Sequence, residues 1–65
     1  MTWEYRVMSR DGVVAIFEVH YYEDGRIRGY SAEPTFPAGE TVEELRGNCG
    51  LYLAALGKPV LEYTS

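Results

Sequence analysis

Sixty-five residues make one domain, and a chain this short buries only about 60% of the surface exposed on unfolding. Its one cysteine, Cys49, forms no internal disulfide, and with His20 as the lone histidine a four-ligand Cys/His zinc site is excluded. Six basic against ten acidic residues leave a net charge of −4, which argues against nucleic-acid binding, where Lys and Arg must neutralise phosphates.

Small domains add to a thin core with disulfides, metals or self-association. With the first two excluded, association is the expected supplement. The composition suits it, with 46% hydrophobic residues including six tyrosines, two phenylalanines and a tryptophan. The opening MTWEYRVMSR is charged and alternating, unlike a signal peptide, and no apolar run approaches the ~20 residues of a membrane span. A single unpaired cysteine suits a reducing compartment, so a cytoplasmic protein is expected.

In chain order, WEYRVM alternates with strand periodicity. After SRDG, the β-branched and aromatic run VVAIFEVHYY forms a second strand. A two-residue Asp11-Gly12 loop pairs Arg6 with Phe17 and Glu4 with Val19, which mixes charge into the apolar face. A three-residue loop, Arg10-Asp11-Gly12, ends in a G1 bulge at Gly12 and pairs Val7 with Ala15, Tyr5 with Phe17 and Trp3 with Val19. The second option separates apolar from polar cleanly and is the predicted register.

YYEDGRIRGYSA reads as the next hairpin, with Asp24-Gly25 as a type I′ pair that sets Tyr21 opposite Arg28 and Val19 opposite Tyr30. Trp3, Tyr5, Val7, Ala15, Phe17, Val19, Tyr21, Tyr30 and Ala32 then form the expected core face. Pro34 and Pro37 break the sheet and carry the chain to a helix. Thr41 and Glu44 make a T-x-x-E capping box, so the helix is predicted from Val42 to Leu56, with Gly57 as a left-handed stop and Pro59 beyond. VLEY is a short final edge strand. The predicted fold is therefore α+β: a three-stranded antiparallel meander, one helix packed on one face and a short edge strand, β-β-β-α-β.

The helix contains two interior glycines, each costing about 1 kcal/mol relative to alanine. At 100° per residue Val42, Leu45, Cys49, Tyr52, Leu53 and Leu56 form the stripe expected to cover the sheet. Gly47, Gly50 and Ala54 lie on the opposite half with Leu51 nearby, and no charge follows Arg46 within the helix. A small-residue surface of this kind suits another backbone packed closely against it. The sheet's outer face is expected to carry Met8, Val14, Ile16, His20, Tyr22 and Ile27, an apolar patch of the sort that marks interaction sites. These two groups are the candidate interface residues.

Catalytic signals are weak. Glu18 and His20 lie two apart on a strand, a carboxylate beside an imidazole, with Tyr22 next along and no third partner. Cys49 lies mid-helix, where a free cysteine packs as a small hydrophobe. The glycines make no phosphate-binding pattern, and Glu40, Glu43 and Glu44 are accounted for by the helix dipole. No catalytic residue, cofactor or metal is expected.

The order strand–strand–strand–helix–strand, with Gly39-Glu40-Thr41-Val42-Glu43-Glu44-Leu45 opening the helix, resembles the HicB-like antitoxin domains over roughly residues 13–56. The resemblance implies a partial ribonuclease-H-like fold without its catalytic carboxylates, and a toxin-neutralising or self-associating role. W-x-YRV, EVHYYEDG, GET-x-EEL and LAALGKPVLEY also resemble a group of short uncharacterised bacterial proteins, and that resemblance implies no function. The expected protein is a non-catalytic interaction module forming a homodimer, with a small basic protein as the partner that a HicB-like role implies. The alternative is a small-ligand-binding or enzymatic protein with a site on the outer sheet face near His20.

Overall fold

The computed structural model describes residues 2–64; residues 1 and 65 of the expected domain lie outside them. Three strands, β1 (Thr2–Arg10), β2 (Val13–Tyr21) and β3 (Ile27–Tyr30), precede one helix, α1 (Val42–Leu56), and a two-residue strand, β4 (Leu61–Glu62). The sheet order is β3-β2-β1-β4, with β1, β2 and β3 antiparallel and β4 parallel to β1. The fold is α+β with a curled mixed sheet, and the helix bounds are as predicted.

The two hairpins exchange the turn types expected of them. Asp11 takes φ 54° and Gly12 φ 79°, both left-handed, as a two-residue type I′ turn requires. Asp tolerates that region because its short polar side chain stabilises it locally. The register is accordingly Arg6 with Phe17, Glu4 with Val19 and Met8 with Ala15, not the predicted pairing of Val7 with Ala15. In the second hairpin the Tyr22 N–H donates to the Arg26 carbonyl at 2.8 Å, and the Gly25 N–H to the Tyr22 carbonyl at 3.0 Å. Gly25, at φ 91°, closes a three-residue Glu23-Asp24-Gly25 loop with a G1 bulge. Tyr21 therefore opposes Ile27 instead of Arg28. An irregularity at Arg28 then restores the expected pairing of Val19 with Tyr30.

One residue of slip in β1–β2 sends Trp3, Tyr5 and Val7 to the opposite face from Ala15, Phe17, Val19 and Tyr21. The predicted core face is thus divided between two sides. Met8, expected outside, is fully buried with Phe17 and Val19, packed by Ala15, Tyr21, Tyr30, Leu61 and Tyr63. This inner face is closed by the curl itself. Tyr63, just past one edge strand, packs at a tilt on Phe17 and edge-on to Tyr30 of the other edge, with ring centroids 5.1 and 4.6 Å apart. The Thr64 N–H donates to the Tyr30 hydroxyl at 2.8 Å, and that hydroxyl also contacts the Thr64 carbonyl.

The helix lies on the other face, against β1, where Tyr52 stacks on Tyr5 at 4.2 Å and Asn48 reaches the Tyr5 hydroxyl. Thr41, in extended backbone, accepts the Glu44 N–H on Oγ1 at 3.1 Å, and Glu44 Oε1 accepts the Glu40 N–H. Gly57 is not the left-handed stop expected: its φ is −84°. The end tightens instead through bonds from Gly57 to Ala54 and from Lys58 to Ala55, and Pro59 has no N–H to continue the ladder.

Candidate interaction surface

Two charged side chains that the expected register kept out of the core point into the inner face and find partners there. Arg6 donates to the Pro59 carbonyl at 2.8 Å, to the Tyr21 hydroxyl at 3.2 Å and to Glu4 at 3.4 Å. Glu4 accepts from the Tyr21 hydroxyl at 2.7 Å and from Lys58. The Lys58 ammonium, then the Tyr21 hydroxyl, holds the Glu4 carboxyl below its usual range, against the opposing effect of burial. Burial, reinforced by the Glu4 carboxylate, pushes the Tyr21 hydroxyl up. The cluster ties the chain leaving α1 to the first two strands. Apart from Arg6 Nε, which is buried without a hydrogen-bond partner, its donors and acceptors are turned on each other and on the Pro59 carbonyl, which gives it a structural role.

At the far end of the curl Arg10 lies over the rings of Phe17 and Tyr63, at 5.2 and 4.8 Å, and donates to the Ala32 carbonyl. An open cleft of about 640 Å³ lined by Ser9, Arg10, Asp11, Glu33, Glu62 and Tyr63 adjoins it. Glu33 already pairs with Arg10 at 3.4 Å.

The expected outer-face residues do not form one patch. Met8 belongs to the inner core. Val14 and Ile16 sit opposite Ser9 and Val7 on the helix-bearing side, the former exposed and the latter half-buried. His20 lies across from Trp3, its Nε2 3.6 Å from Glu18 Oε1. Tyr22 and Ile27 are exposed at the second hairpin. His20 lies outside both the Arg10 cleft and a smaller adjoining one of about 250 Å³. Among the described residues no three His, Cys, Asp or Glu side chains cluster as a metal site.

The helix presents the larger apolar surface, although its buried stripe is not the predicted one. Tyr52 and Ala55 are buried, with Asn48 and Cys49 half-buried. Val42, Leu53 and Leu56, all expected to cover the sheet, are 71%, 68% and 63% exposed. Leu51, predicted outward, is exposed as expected, as are Gly47, Gly50 and Ala54. A Cβ placed on Gly47 or Gly50 meets nothing within 4 Å, so no contact within the chain requires either glycine. A signal for the wider apolar face was present in the sequence: aliphatic residues run round most of the helix after Arg46, more than one stripe needs.

Compared with protein-family models, with curated proteins and with solved structures, the chain gives no match.

Proposed function

We propose that this protein is a non-catalytic protein-interaction module whose contact surface is the outward side of α1. The observation that carries the reading is the exposure of Val42, Leu51, Leu53 and Leu56 on a helix that contributes only Tyr52 and Ala55 to the buried set. Exposed apolar side chains gathered on one helix of a small domain support an interaction site. No helix among the described residues is long and apolar enough to cross a membrane, so this face is not a spanning segment. A cytoplasmic setting goes with the reading, because the unpaired Cys49 suits a reducing compartment. A narrower version, neutralisation of a small basic toxin in the manner of HicB-like domains, is supported by the GETVEEL resemblance and by the net charge of −4.

The test is native mass spectrometry of the tagged chain captured gently from cells, beside a Leu53→Glu variant. A protein bound to the wild-type chain, a second copy included, and absent from the variant supports the reading. A wild-type chain recovered as a bare monomer refutes it.

A further inference from the structure

Beyond the α1 surface, we propose that the open mouth of the curled sheet is a second docking site, which takes an extended basic segment of another protein. Val13, Ala15 and Phe17 alternate along β2 onto the inner face. Phe17 is buried, but Val13, next to the first turn, is 63% exposed. With Pro34 these three wall an apolar groove of about 250 Å³, completed by Arg10 and Asp11. The groove adjoins the open cleft of about 640 Å³, which Arg10 and Asp11 also line. Concave sites of this kind form at the mouths of closed sheets. No residue of α1 lines either lobe, so the site is separate from the helix face.

Charge selects the occupant. The mouth already holds one cation, the chain's own. The Arg10 guanidinium lies over the Phe17 and Tyr63 rings, donates to the Ala32 carbonyl at 2.8 Å and has Glu33 at 3.4 Å. The other two carboxylates of the lining, Asp11 and Glu62, have no ionic partner among the described residues. The lining therefore sets three carboxylates against one guanidinium whose bonds are already made, which favours a cationic occupant over an anionic one. A bare ion gains too little here. Exposed ion pairs each contribute little, and no three acidic side chains among the described residues cluster as a metal site. The occupant must also place an apolar side chain in the groove over Val13 and Ala15, where burial adds to the ion pairs. An extended chain with a Lys or Arg two positions from an apolar residue presents both on one side, about 7 Å apart.

The experiment is an amide-resonance NMR titration of the full chain with the peptide acetyl-Arg-Ser-Leu-Ser-Arg-amide. Controls are the same peptide with Glu for Arg, and argininamide alone. The expected result is a saturable shift centred on Asp11, Val13, Ala15 and Glu62, weakened by added salt. Asp11→Asn, which keeps a residue tolerant of the left-handed turn, and Glu62→Gln should each weaken binding about two- to fivefold. Val13→Ser, at an exposed position, should weaken it as well, and Leu53→Glu should leave it unchanged. No saturable shift up to millimolar peptide overturns the proposal. So does equal binding of the Glu peptide, binding of argininamide as tight as that of the whole peptide, or binding that none of the three mouth variants weakens. Shifts that fall on α1 and vanish in Leu53→Glu overturn the mouth site and leave the α1 reading standing.

Discussion

Replacing Gly50 with alanine separates the stability of one chain from that of two copies joined through α1. In a helix interior alanine is favoured over glycine by about 0.8–1.0 kcal/mol, largely because the unfolded chain has less freedom to lose. Nothing lies within 4 Å of the added Cβ, so no steric cost offsets this gain in the isolated chain. The monomer should gain about 1 kcal/mol, which for a domain of this size raises the melting temperature by roughly 4–8 °C. In a pair formed through the outward side of α1, the added methyl groups enter the contact and hold the helices further apart. The assay is thermal unfolding followed by circular dichroism over a dilution series, since a dimer's melting temperature rises with protein concentration. The variant should melt higher at the lowest concentrations and lose that advantage as concentration increases. A lower melting temperature at high dilution would show that the fold itself needs the glycine. A constant advantage at every concentration would remove Gly50 from any interface.

Three further outcomes test the fold beneath this surface. Asp11→Val, which puts a β-branched residue at φ 54°, should cost about 1–2 kcal/mol in urea unfolding; no loss would argue for the longer first loop. Met8→Ala should destabilise by about 2–5 kcal/mol, against little change for Val14→Ala, because Met8 is fully buried and Val14 exposed; equal effects would contradict the register. Glu4→Gln should cost about 1–2 kcal/mol near neutral pH, a charge-assisted bonding value reduced for partial exposure. The folded-state pKa of Glu4 is depressed, so its contribution is present above the unfolded-state value of about 4.5 and is lost as pH falls through the folded one. Wild type and Glu4→Gln should therefore converge in urea midpoint in acid, and a gap that persists there would refute the ion-pair account.

Local chemistry made much of this architecture readable from the sequence. Strand alternation, the Thr41–Glu44 capping box and the two prolines around Thr35 and Phe36 each act within a few residues, and they place the strands and the limits of α1. Asp-Gly pairs mark both turns for the same reason. Which loop length each pair adopts is a different matter, because the I′ and G1-bulge forms differ little locally and the choice falls to the packing of the strands on either side. Segregating apolar from charged residues favoured the wrong register in β1–β2, since a sheet curled on itself buries side chains on both faces. Arg6 and Glu4 enter the inner face because residues distant in sequence, Tyr21, Lys58 and Pro59, supply their partners. The outward glycines of α1 were legible, since period and angle alone place them. The exposure of Val42, Leu53 and Leu56 was not, because it depends on how the helix is rotated over β1, and the stacking of Tyr52 on Tyr5 decides that rotation.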